Sequence, residues 1–263
     1  MAEGAIKSVS IIGAGNVATH LALGLNNRNF SIKEIWSKNI SNAELLAKKI
    51  NANVCSNLSQ LNIETNLVII SVKDDSLEEV VAMLPAHLPA VVHTSGSLDM
   101  KILNETSNHI GVLYPLQSFN KDEAVNWKEV PICVEANSDH FTEQLFSLSK
   151  SLSGHVEYLN STQRIQLHIA AIFANNFSNY IYSLAYQLAT KQHLPFSLLI
   201  PLIQQTTNRL GNTDPFQLQT GPAKRNDVEL IKKHIELLSS NKEAQEVYEF
   251  LSEEIRKKER NEF

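Results

Sequence analysis

Cysteine is nearly missing from this chain of 263 residues: Cys55 and Cys133 stand alone, outside any metal or redox spacing. Two isolated thiols cannot form a disulfide framework or a cysteine-based metal site, and such usage fits a reducing cytoplasm. Long hydrophobic runs are lacking too. The longest apolar stretch, Val80 to Val92, is interrupted by Pro85, His87 and Pro89, too short and too broken to span a membrane. The first strand-like segment starts within the first ten residues, leaving no room for a signal peptide, so a cytoplasmic protein is expected. Charge of one sign is also absent. The 23 Lys and Arg against 28 Asp and Glu give a net charge of −5, without the basic footprint of a nucleic-acid binder. The basic cluster Arg256-Lys257-Lys258-Glu259-Arg260 closes a helical pattern, where the helix dipole favours cations. There is no repeat, low-complexity segment or Gly/Ser linker, and no metal site is expected.

What is present begins at the N-terminus. The apolar run Ser8-Val9-Ser10-Ile11-Ile12 leads directly into Gly13-Ala14-Gly15-Asn16-Val17-Ala18, and a helical pattern follows. This is G-x-G-x-x-A at a strand-to-helix junction, the signature of a dinucleotide site. Gly13 allows the tight turn, Gly15 lets the backbone approach a pyrophosphate, and Ala18 lets helix and strand pack closely. The phosphates would rest on free N–H groups of Asn16 and Val17 at the positive helix end. The second strand, Ser31 to Trp36, ends in Ser37-Lys38-Asn39. An NAD site places an acid there for the ribose 2′-hydroxyl. Ser37 and Lys38 suit a 2′-phosphate instead, so NADP is the expected cofactor.

Strands and helices alternate as far as residue 160. Strands are expected at Asn66 to Val72, Ala90 to Val92, Ile110 to Leu113, Pro131 to Glu135 and His155 to Leu159. Capping boxes at Ser41-x-x-Glu44 and Ser76-x-x-Glu79 would open two of the helices, and a further helix covers Asp139 to Leu152. The fold class that follows is α/β, a Rossmann-type doubly wound, mostly parallel sheet over residues 1–160. Residues 161–263 read as an all-α domain: one long apolar helix from Ser161 to Lys191, then helices near 195–210, 226–238 and 242–258. A cleft between the two domains is the natural place for a small-molecule substrate.

Ligands of open α/β sheets bind beyond the carboxyl ends of the strands. That puts Val72-Lys73 near the cofactor, and Ser95, Gly96 and Gln117 near the substrate. On the long helix the apolar residues occupy most sides, which implies burial nearly all round. His168, Asn175 and Asn179 nearly align at about 100° per residue, with Asn176 about 80° round. Buried imidazole and amide groups need partners or a wet cavity. His168 could therefore give a proton to a carbonyl or imine as hydride arrives, with Asn175 or Asn176 orienting the substrate. Gly221-Pro222 forces a turn, Asp227 or Asn226 can cap the next helix, and Arg225 between them could hold an anionic group.

Several motifs together carry a family likeness: Gly13 to Ala18, His93-Thr94-Ser95-Gly96, Tyr114-Pro115-Leu116-Gln117-Ser118-Phe119, His168 to Asn176, and Gly221-Pro222-x-x-Arg225-x-Asp227. The chain resembles the two-domain Rossmann oxidoreductases of the 6-phosphogluconate-dehydrogenase superfamily. Within it the chain is similar to a bacterial, deazaflavin-dependent NADP oxidoreductase-like branch whose C-terminal domain has no assigned function. The resemblance implies an NADP-binding domain, a helical domain that forms a homodimer, and an acid/base at the position of His168. It departs from the pattern at Ile172, where an Asn is usual one turn on, and at Tyr114, where relatives commonly have His. The resulting expectation is hydride transfer between NADP and a small carbonyl, imine or hydroxy acid. A non-catalytic NADP sensor or regulatory dimer, and a pyrroline-5-carboxylate-reductase-like enzyme, are the alternatives.

Overall fold

In the computed structural model, which describes residues 5–211 and 214–260, the chain forms two compact units, Met1–Asn176 and Phe177–Phe263. The first unit is built on one sheet of eight strands: β1 (Ser8–Ile12), β2 (Ser31–Trp36), β3 (Asn53–Val54), β4 (Leu67–Ile70), β5 (Val91–His93), β6 (Ile110–Pro115), β7 (Ile132–Ala136) and β8 (Val156–Tyr158). Their order across the sheet is β3-β2-β1-β4-β5-β6-β7-β8. All neighbours are parallel except β6 and β7, which pair antiparallel with Tyr114 opposite Cys133. This is the doubly wound, mostly parallel sheet that the alternation of elements predicts.

Alternate strand residues face opposite sides, and both sides are covered. Leu67 and Ile69 of β4 join a core with α1 (Asn16–Asn26), α2 (Ile40–Ile50) and α4 (Asp139–Leu152). Val68 and Ile70 join a second core with α3 (Asp74–Ala82) and the turn at Met100–Leu103. This double burial is why β4 reads as an unbroken apolar run.

Neither predicted capping box forms. The side chain that caps α2 is Asn39, which accepts from the Ser41 N–H, so the helix starts two residues earlier than a Ser41 cap would start it. α3 starts at Asp74, with Lys73 at its N-cap and two acids in the first turn, where the dipole favours them. Ser76 lies inside that helix.

The predicted helix from Ser161 to Lys191 has three parts: α5 (Ser161–Ala171), a π-helical turn (Ile172–Phe177) and α6 (Ser178–Lys191). Its apolar residues are not buried all round: Ile169, Phe173 and Phe177 are exposed. The second unit contains α6, α7 (Ile200–Asn208), α8 (Val228–Leu237) and α9 (Lys242–Glu259). His234 and Tyr248 meet between α8 and α9 at 2.8 Å, and Tyr180 donates to Glu243. This unit buries few large side chains, notably Leu184 and Ile231, and exposes many, among them Tyr186, Leu198, Leu202, Leu237 and Phe250.

Candidate dinucleotide and substrate site

Strands β1, β2, β4, β5 and β6 all run the same way, so the loops after them gather along one edge of the sheet. At the first of these loops, Gly13 has φ +126°, and a Cβ there would stand 2.0 Å from the Ser71 carbonyl oxygen. Only glycine fits. Gly15 is the N-cap of α1 with no side chain capping the helix, and the space a Cβ would occupy is open. The first N–H groups of the helix are thus left to an incoming anion. Ala18 is fully buried, under the loop rather than in it. Asn16 turns away and donates through Nδ2 to the Phe119 carbonyl at 2.8 Å, tying the β1 and β6 loops together.

A cavity of about 1060 Å³ runs along this edge. Gly13, Gly15, Asn16 and Val17 line it, together with Ser37, Lys38, Val72, Lys73, Ser95, Gly96, Gln117 and His168. The residues present therefore suit a dinucleotide: an open glycine, an uncapped helix end, and a lysine where a 2′-phosphate would lie. Lys38 is 3.7 Å from Glu79, another lining residue, which the sequence pattern offered only as part of a capping box. Both side chains are largely exposed, so the pair contributes little by itself.

A second cavity of about 580 Å³ shares Tyr114, Gln117 and His168 with the first, and adds Leu167, Ile172, Asn175 and Asn176. The π turn alters the predicted stripe. A wider turn advances roughly 80° per residue instead of about 100°. This brings Asn176 round toward the side of His168, and Asn175 and Asn176 are the amides of the stripe that line the cavity. The alignment of His168, Asn175 and Asn179 expected from a regular helix does not hold.

Tyr114 is the main residue that sequence reasoning missed. Its hydroxyl lies 2.9 Å from His168 Nδ1, with the rings edge to face. Burial pushes the phenol up to about 12, so it stays protonated. Gly96 makes room for the pair: a Cβ there would come within 2.6 Å of His168 Nδ1 and 3.0 Å of the Tyr114 ring. Behind them His93 is fully buried and accepts from the Ser95 N–H at Nδ1. Burial first, then the charge of Arg164, pushes its imidazole down to about 4. The available signals were a tyrosine two residues before Leu116-Gln117 and a glycine after Ser95, neither of which points to His168 without the fold.

Arg225 belongs to the second unit. Its turn is firmly built: Gly221 and Asn226 have positive φ, Asp227 caps α8, and Arg256 donates to Asn226. Neighbouring Lys224 is engaged by Glu259 and the Phe216 ring, whereas Arg225 is exposed. Among the described residues no group of three His, Cys, Asp or Glu could hold a metal, and no helix is long and apolar enough to cross a membrane.

Sheet order, glycine turn and edge cavity define a Rossmann-type dinucleotide-binding protein with a helical second unit. Residues 8–94 match the family "NADP oxidoreductase coenzyme F420-dependent", and residues 130–255 match a domain of unknown function, DUF2520. A Bacteroides fragilis protein described as an NADP oxidoreductase is 36% identical, over 96% of this chain and 98% of its own, with a TM-score of 0.86. The chain belongs to this family of two-domain NADP oxidoreductase-like proteins. The fold alone is shared with an NADP+-bound imine reductase of Myxococcus stipitatus (14% identity, 95% and 93% coverage, TM-score 0.70). It is shared likewise with a 1-pyrroline-5-carboxylate reductase of Streptococcus pyogenes (14%, 97% and 99%, 0.64). No curated protein matches the sequence.

Proposed function

We propose that the protein is an NADP-dependent oxidoreductase that reduces a small carbonyl or imine substrate, or runs the reverse reaction on a hydroxy acid. The observation that carries this reading is the Tyr114–His168 pair on the wall shared by the two cavities. NADPH, when bound, supplies hydride. The chain holds its phosphates with the N–H groups at Gly15 to Val17 and its 2′-phosphate with Ser37 and Lys38, while Val72 and Lys73 flank it. Ser95, Gly96 and Gln117 shape the approach of the substrate. Asn175 and Asn176 orient the reacting group with their amides. In its doubly protonated form His168 donates Nδ1–H to the Tyr114 oxygen and gives the Nε2 proton to the substrate oxygen or nitrogen. The neutral phenol holds the ring in place without the charge a carboxylate would add. Arg225 serves an anionic substrate group, and the exposed apolar residues of the second unit support a homodimer formed through it. The setting is the cytoplasm.

The test is NADPH oxidation by the wild type and His168→Ala with a panel of small ketones, cyclic imines including 1-pyrroline-5-carboxylate, and deazaflavin. Turnover by the wild type alone, with NADPH affinity kept within about threefold, supports the reading. NADPH binding that changes the oligomeric state without any turnover would make the protein a sensor instead.

A further inference from the structure

Beneath the Tyr114–His168 pair lies a buried ionic cluster that the chemistry above does not use. Arg164, one turn before His168 on α5, is fully buried, yet lines neither cavity. Its Nη1 donates to the Ser95 carbonyl at 3.0 Å. Its Nη2 donates to the Leu98 carbonyl at 2.7 Å, to Ser161 Oγ at 3.1 Å and to Glu135 Oε2 at 3.3 Å. Glu135 on β7 in turn accepts from the Ser161 N–H at 2.9 Å and from its hydroxyl.

A buried ion pair is a poor source of stability, because removing both charges from water offsets most of their attraction. It does impose geometry, since the planar guanidinium fixes the directions of its hydrogen bonds. Here those bonds join three segments: β7 through Glu135, the first turn of α5 through Ser161, and the loop after β5 through Ser95 and Leu98. Two of the three are the walls of the site. α5 carries His168, and the loop carries Gly96, whose α-carbon faces the His168 ring closely enough that no Cβ fits between them.

We propose that Arg164 is a positioning residue: held by Glu135, it clamps the Ser95–Leu98 loop to α5 and so sets the contact between His168 Nδ1 and Tyr114 Oη. The kinetic consequence rests on the proposed proton-transfer role of that pair, whereas the structural consequence can be read without any substrate.

The experiment compares Arg164→Lys, Glu135→Gln and Ser161→Ala with the wild type in four measurements. These are thermal unfolding, NADPH affinity, the ring-nitrogen NMR shifts of His168 at fixed pH, and kcat on whichever substrate the wild type reduces. The clamp predicts NADPH affinity within about threefold, a displaced His168 Nδ1 resonance, and a fall in kcat on the order of 10²-fold at an unchanged KM for NADPH. In Arg164→Ala, millimolar guanidinium should restore both resonance and rate. If the substitutions at the two buried ions prevent folding, Ser161→Ala decides, because it deletes only a half-buried hydroxyl. An unchanged His168 resonance in the folded variants overturns the proposal, as does a kcat loss that merely follows loss of NADPH binding and of thermal stability. A displaced resonance in a protein whose wild type turns over nothing would keep the clamp and reject the reductase reading.

Discussion

Gly96→Ala is the smallest change that separates the proton-handling pair from the cofactor site. The added methyl would stand 2.6 Å from His168 Nδ1, 2.7 Å from Cγ and 3.0 Å from the Tyr114 ring, where ordinary contact begins at 3.4 Å. The imidazole must therefore retreat by about 0.8 Å, and Tyr114, buried against Val112 and Cys133, cannot follow. The 2.9 Å hydrogen bond between them breaks. Losing one such bond costs about 1 kcal/mol of stability, and a displacement approaching 1 Å costs up to about 10²-fold in rate. Since α1 and Lys38 are untouched, NADPH affinity should stay within about threefold. Fluorescence titration of NADPH and its oxidation followed by absorbance separate the two effects. Full activity in Gly96→Ala would refute the claim that His168 and Tyr114 work as a pair, and a large loss of NADPH affinity would refute the division of the site.

Other changes probe other parts of the molecule. Gly13→Ala puts a methyl 2.0 Å from the Ser71 oxygen at φ +126°, so it should lose about 3 kcal/mol or more of stability in denaturant melts, along with NADPH binding. Lys38→Ala should weaken NADPH about tenfold and leave NADH unchanged in calorimetry, whereas Glu79→Gln should tighten NADPH a few-fold by freeing Lys38. His93, with its pKa lowered to about 4 from 6.5, is neutral when folded. Below pH 6.5 the unfolded chain binds the extra proton, so stability falls with pH through the window from 6.5 to about 4, by about 3 kcal/mol in all. His93→Asn should flatten that slope in melts recorded across this range.

Much of the first unit was legible in the sequence because its signals are local. β1 and β4 are apolar runs, and the glycines between β1 and α1 perform the turn their spacing implies. Two-residue β3 was too short to register. The capping boxes failed because Asn39 and Lys73 start their helices earlier than the serine motifs suggest. The reversal of β7 could not be read, since an apolar run does not encode its direction. The π turn has no propensity signature either, so the stripe on the long helix was placed by a rotation that does not apply there. Tyr114 and His168 are 54 residues apart, and Arg164 reads on paper as one more charge on a helix. Their meeting is a tertiary fact, supplied by the antiparallel β6–β7 pairing and by the absence of a side chain at Gly96.

Reversal of that one strand also decides from which end the site is reached. With β7 and β8 running against the other strands, the chain leaves β8 heading away from the cofactor loops, and α5 has to turn back to reach Tyr114. It is anchored at Ser161 by Glu135 and arrives at Tyr114 seven residues later, a rise of about 10 Å. The helix is thus a measured arm whose length places His168 level with the end of β6. One residue inserted between anchor and imidazole would lift the ring by about 1.5 Å and swing it through about 100°, pointing it away from both cavities while each individual residue of the site stayed the same.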